Sequence, residues 1–153
     1  MSDFKDDLAT RGLDAFAPYL MNRIMRRYNQ TLQARMADYD LSTPKMRALA
    51  SLAVRDGLTV NELAVYSMAE QPTMSRMLDQ LERDGLITRT VSEADSRVRL
   101  CSLTDAGREM YRLTWPEMDA AEKAMFAGIS DTDRAQVLAT LGRMLENIKQ
   151  NEF

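Results

Sequence analysis

The chain of 153 residues contains no histidine. Histidine is the usual general base and the commonest metal ligand, so its absence weighs heavily against a hydrolase and against a zinc site. A single cysteine, Cys101, excludes an internal disulfide framework and fits a reducing compartment. No apolar run approaches the length that spans a bilayer, and the opening residues MSDFKDDLATRG lack a signal peptide's apolar core. The expectation is a cytoplasmic protein with no membrane partner. No nucleophile–base pair and no convergent carboxylates are identifiable, so no catalytic residue, metal ligand or cofactor is assigned.

What is present is an ordinary globular composition, 45% hydrophobic and 28% charged, in a length that suits one domain with a real core. A formal net charge of −3 does not advertise a nucleic-acid partner. The distribution softens that objection. Residues 23–47 hold six basic side chains against two acidic, whereas residues 104–153 hold six against nine. Of the 20 basic residues 16 are arginine, the better bidentate partner for phosphate and guanine. Charge therefore permits such a partner without requiring one.

Along the chain, a first helix is predicted to begin near Pro18 or a little earlier, with Leu13, Phe16, Leu20, Ile24, Tyr28 and Leu32 at helical spacing. A second follows Ser42-Thr43-Pro44, turns Met46, Leu49, Ala50 and Ala53 inward and ends near Gly57. Thr59-Val60-Asn61-Glu62 has the form of a capping box and starts a short third helix. The fourth spans residues 71–83, with Pro72 in its first turn and Gly85 as its stop. Residues 86–91 and 98–103 read as paired strands around a polar loop. Thr104-Asp105-Ala106-Gly107 opens a long helix to about Ala127, which Pro116 should kink. After Gly128, Ser130 or Asp131 caps a last helix striped with Val137, Leu138, Leu141, Met144, Leu145 and Ile148.

Helix, turn, helix and hairpin in that order make a helix-turn-helix with a wing. The N-terminal part of such a second helix meets base edges in the major groove, and here it carries Gln71, Thr73, Ser75 and Arg76. A glutamine there suits adenine, and an arginine suits guanine or phosphate. The competing reading is that Gln71, Thr73 and Ser75 only cap the helix. Met77, Leu78 and Leu81 fall on the side that seats it. A hairpin tip is thin enough for the minor groove, and Arg97 is its candidate side chain. Arg99 and Arg89 on the strands either touch phosphate or keep the sheet surface wet.

These residues resemble the MarR family of bacterial regulators over nearly the whole chain. Leu41-Ser42-Thr43-Pro44 looks like the family's second-helix start, and Glu62-Leu63-Ala64 like its third-helix opening. Thr73-Met74-Ser75-Arg76 with residues 81–87 looks like its recognition helix and exit. Asp95-Ser96-Arg97 resembles its wing signature, and residues 103–108 its return to helix. The resemblance implies a mainly α fold with a small β-hairpin wing. A winged helix-turn-helix lobe at residues 41–103 would be flanked by dimerisation helices at 1–40 and 104–153. By the same resemblance Asp95 holds the Arg97 guanidinium; the alternative is an ordinary turn aspartate beside a solvated arginine. The implied function is a homodimeric, sequence-specific regulator of double-stranded DNA, commonly a repressor released by a small aromatic or phenolic effector.

Several points stay open at this level. The long amphipathic helices either dimerise or pack on each other within one chain. By location alone Tyr19, Met25, Met46, Met68 and Trp115 are candidates to line an effector pocket, although methionines at helical spacing more often fill a core. The family's peroxide sensors use a cysteine in the N-terminal helix, and this chain has none there. Cys101 alternates with Arg99 and Leu103, which favours a buried thiol over a redox switch. The rival function is a winged-helix protein-interaction module that does not bind DNA specifically, and an enzyme is a third option without a constellation behind it.

Overall fold

The computed structural model describes residues 7–150; the first six residues, where the polar leader begins, and the last three lie outside the described residues. Asp7 accepts a hydrogen bond from the Thr10 amide and so closes a short helix, α1 (Leu8–Arg11), before a 3₁₀ turn at Leu13–Ala15. The long helix α2 (Ala17–Met36) begins only after Phe16, with Pro18 in its first turn. Leu13 and Phe16 therefore do not belong to its stripe as the spacing suggested. Asp7 competes for the chain locally and starts a turn of its own.

Ser42 caps α3 (Thr43–Val54), whose core face is Met46, Ala48, Leu49 and Leu52. Ala50 and Ala53 are only half-buried. The helix stops at Val54, short of Gly57, because Arg55 turns extended and leads into β1 (Leu58–Thr59). This two-residue strand makes the wing a three-stranded sheet rather than a bare hairpin, and it is too short for alternation to reveal. The capping box forms: Thr59 Oγ1 accepts from the Glu62 amide at 3.2 Å and the Glu62 carboxylate accepts from the Thr59 amide at 2.8 Å. It opens α4 (Val60–Ser67), followed by α5 (Gln71–Arg83).

The antiparallel sheet has the order β1-β3-β2, with β2 (Ile87–Val91) and β3 (Arg99–Leu103) in the register Ile87 opposite Leu103, Arg89 opposite Cys101 and Val91 opposite Arg99. Leu58 of β1 also faces Cys101. The core joins Leu32 and Met36 of α2 to Leu49, Leu52, Leu63, Leu78, Leu81, Ile87 and Cys101, all within 1% of full burial. The long helix α6 (Asp105–Met125) continues through Pro116, and Ser130 caps α7 (Asp131–Ile148). An ion pair between Arg35 and Glu117 ties α2 to α6.

The join between the wing and α6 is the tightest point of the lobe. Gly85, at φ +72°, ends α5 in a conformation that a side chain disfavours. Thr104 Oγ1 donates to the Gly85 carbonyl at 2.6 Å and accepts from the Gly107 amide at 3.0 Å. A Cβ placed on Gly107 would lie 1.9 Å from the Leu86 carbonyl oxygen. Backbone has to move to admit it, so Gly107→Ala is expected to destabilise the protein by about 3 kcal/mol or more. A thermal melt followed by circular dichroism checks this; an unchanged midpoint would mean that α6 does not abut the α5 exit so closely.

Candidate nucleic-acid interface

Helix α5 is amphipathic in the simplest way. Met74, Met77, Leu78 and Leu81 are buried at the i, i+3, i+4, i+7 spacing, and Gln71, Thr73, Ser75, Arg76, Asp79, Gln80 and Arg83 remain exposed. The buried side seats the helix, so the four candidate side chains all stand on solvent-facing positions of its N-terminal half. Glu70 is the N-cap and makes no side-chain cap bond. The hydroxyls of Thr73 and Ser75 make no hydrogen bond among the described residues, so they are not occupied in capping. Gln71 is engaged: its Nε2 donates to Asn61 Oδ1, joining the first turns of α4 and α5. One amide proton and the carbonyl oxygen of Gln71 stay available, which is the donor–acceptor pair that adenine requires.

Between the two helices Met68 adopts φ +54° as the C-cap of α4. A left-handed conformation costs an ordinary side chain about 1–2 kcal/mol. Its amide bonds back to α4, and the Ala69 amide donates to the Ala64 carbonyl at 3.0 Å, which holds the turn.

The wing loop is closed by the Ser92 amide donating to the Val98 carbonyl at 2.8 Å and the Val98 amide to the Asp95 carbonyl at 2.9 Å. Asp95 grips Arg97 by three bonds: Oδ1 accepts from the Arg97 amide at 3.0 Å and from Nε at 3.1 Å, and Oδ2 accepts from Nη2 at 2.9 Å. The Arg97 side chain is nonetheless 89% exposed. Its guanidinium, and then its amide, hold the Asp95 carboxyl below the usual carboxylate range. An exposed pair contributes little to stability, so orientation is what it achieves. Nη1 keeps both of its protons for another acceptor.

Arg89 does not keep the sheet wet. Its Nε donates to Glu82 at 2.9 Å and its Nη2 lies 2.8 Å from Asp79, which binds β2 to the outer side of α5. Hydrogen bonding by Arg89 lowers the Glu82 pKa. One signal was available in the sequence: Arg89 shares a strand face with buried Ile87, and a charge on an inward face needs a partner. Arg99 is exposed at the far end of the ladder, opposite Val91, and holds no partner among the described residues.

Much of the basic excess at residues 23–47 is committed inside the chain. Arg35 pairs with Glu117, Arg47 donates to Asn29, Lys45 lies 3.6 Å from Asp84, and Arg23 donates to the Tyr19 hydroxyl at 3.1 Å. The count of charges along the sequence overstated what that region offers a polyanion. Cys101 is fully buried, and burial pushes its thiol pKa up, with Arg89 across the ladder opposing this. The thiol is therefore kept from the thiolate that redox chemistry needs. Of the pocket candidates, Met46 is sealed in the core, whereas Met25, Met68 and Trp115 are exposed. Among the described residues no group of three or more histidine, cysteine or carboxylate side chains is placed to hold a metal, and no helix is long and apolar enough to cross a membrane.

The MarR family model matches residues 41–98, the segment from the start of α3 to the wing loop. The chain is 48% identical to a MarR-family transcriptional regulator from Silicibacter pomeroyi, over 96% of this chain and 99% of that one, with a TM-score of 0.90. It is 30% identical to the helix-turn-helix regulator YdgJ of Bacillus subtilis, over 73% of this chain and 68% of that protein. The S. aureus MepR–DNA complex shares 28% identity over 86% of this chain and 98% of that one, with a TM-score of 0.73. A three-stranded wing, a seated α5, the family-model match and a relative 48% identical over nearly the full length of both chains lead to one assignment: the chain belongs to the MarR family of transcriptional regulators.

Proposed function

We propose that this protein is a homodimeric, sequence-specific DNA-binding regulator that occupies a pseudo-palindromic operator and represses from it. The observation that carries this is the α5 surface, where Gln71, Thr73, Ser75 and Arg76 are exposed and the apolar side is wholly used in seating. In this reading α5 enters the major groove. Gln71, steadied by Asn61, meets a base edge; Arg76 meets guanine or phosphate; Thr73 and Ser75 meet phosphates or bases. Arg97 enters the minor groove, held by Asp95, and Arg99 lies toward the adjoining phosphates. That S. aureus MepR, a structure of the same fold, is solved in complex with DNA supports DNA as the partner.

The dimer follows from apolar surface. Helix α7 has no buried residue, and its Val137, Leu138, Leu141, Leu145 and Ile148 are 41–75% exposed. Leu20 and Ile24 of α2 are exposed as well. A second copy covers such faces in an isologous contact and sets two α5 helices about one turn of DNA apart. We read residues 1–40 and 104–153 as the dimerising segments and 41–103 as the DNA-binding lobe. A dimer seated over two successive grooves excludes other proteins from that stretch, which is repression by occupancy. A small aromatic or phenolic effector would release it by binding the DNA-incompetent arrangement more tightly. The reading is that of a regulator rather than an enzyme, acting in the cytoplasm where the DNA is.

Two outcomes are expected. Asp95→Ala removes a negative charge beside the DNA, yet it should weaken binding by about 3- to 10-fold, because it frees the Arg97 guanidinium. Fluorescence anisotropy with a bound duplex measures this, and tighter binding would mean that charge rather than orientation governs the wing. Leu141→Glu with Leu145→Glu should halve the mass seen by light scattering and cost at least about 100-fold in operator affinity. A double variant that stays dimeric would remove α7 from the interface.

A further inference from the structure

Helix α5 presents a problem that its own sequence creates. Arg76 and Asp79 are three residues apart, the spacing at which opposite charges on an exposed helix pair. An Arg76 engaged with Asp79 is occupied before DNA arrives. Asp79 and Glu82 would also bring two carboxylates close to a polyanion. Yet Arg76 makes no hydrogen bond or ion pair among the described residues. Asp79 is taken by Arg89 at 2.8 Å, and the same guanidinium holds Glu82. Arg76, Asp79, Gln80, Glu82, Arg83 and Arg89 line one shallow concavity, so Arg76 and Arg89 border the same carboxylates.

The two possible partners of Asp79 are unequal. The Arg89 side chain is 22% exposed, on a strand whose register against β3 is fixed, and it reaches Glu82 through Nε and Asp79 through Nη2. Arg76 stands on an open helix face. The partly desolvated arginine that two carboxylates hold wins over a solvated one. Arg83 is no competitor, since its Nε donates to the Asp79 backbone carbonyl at 3.2 Å.

We propose that Arg89 is a positioning residue for DNA recognition: by occupying Asp79 and Glu82 it keeps Arg76 unpaired for DNA and masks the carboxylates of the recognition helix. This rests on the reading of α5 as the DNA-reading helix. It also gives the wing strand a task apart from carrying Arg97, since β2 supplies the arginine that clears the helix beside it.

The test is a double-mutant cycle on the duplex that wild-type protein enriches from a randomised pool. Arg89→Gln should lose about 10-fold or more in affinity, because Asp79 then captures Arg76. Asp79→Asn alone should change affinity by less than about threefold, and in the Arg89→Gln background it should recover most of the loss. A role of Arg89 confined to holding the fold is not repaired by Asp79→Asn, so a loss without recovery overturns the proposal, as does no loss at all. Should Arg89→Gln melt below the assay temperature, Arg89→Lys keeps the charge without the fork. Its smaller loss should again be recovered by Asp79→Asn, and failure there overturns the proposal equally. Arg76→Ala that binds like wild type overturns it while leaving DNA binding intact. A wild-type protein that enriches no duplex removes the parent reading, and this one with it.

Discussion

Four side chains of α5, Met74, Met77, Leu78 and Leu81, sit in the core, and that burial decides what the rest of the lobe can present. Burying side chains of this size stabilises by about 1.5–3 kcal/mol each, far more than any single exposed contact on the opposite side. The helix therefore cannot roll to bury Thr73 or Ser75 without losing its seat. Two of the four are methionines, whose flexible chains fill irregular gaps and let the helix settle. The clasp of Arg89 on Glu82 and Asp79 then fixes the helix against β2. The proposed major-groove and minor-groove probes are thereby parts of one body instead of two appendages.

The elements that carry local chemical signals were legible in the sequence. The capping box at Thr59 and Glu62, the proline in the first turn of α5 and the glycine after it mark boundaries through backbone constraints that act within a few residues, and α5 lies at the residues they delimit. The burial of Met77, Leu78 and Leu81 was equally visible as period. What stayed hidden depends on distant partners. β1 is two residues long and exists only because Leu58 and Thr59 meet β3. Asp7 capturing the Thr10 amide, which separates α1 from α2, is a local event that hydrophobic spacing does not report.

The candidate site divides in the same manner. The identity of exposed residues on α5 follows from its period, whereas the Asp95–Arg97 contact was implied by the resemblance of Asp95-Ser96-Arg97 to the family's wing signature. The links from Gln71 to Asn61 and from Arg89 to Glu82 and Asp79 join residues seven or more apart, and only the fold brings them together. The basic stretch at residues 23–47 misled in the opposite sense. A charge count along a sequence cannot see that Arg35, Arg47 and Lys45 are already held by Glu117, Asn29 and Asp84. An acidic protein can bind DNA through a few exposed arginines, and Arg76 on α5 and Arg97 and Arg99 on the wing are exposed.

The central claim is that this lobe reads a sequence, and capture of sheared genomic DNA from the source organism tests it most directly. Purified full-length protein is incubated with the fragments at several salt concentrations, and the bound DNA is sequenced. The account predicts a few strongly enriched fragments that share a pseudo-palindrome with half-sites about one helical turn apart, recovered less as salt rises. Uniform recovery of the genome at every salt concentration, or no recovery, would contradict it.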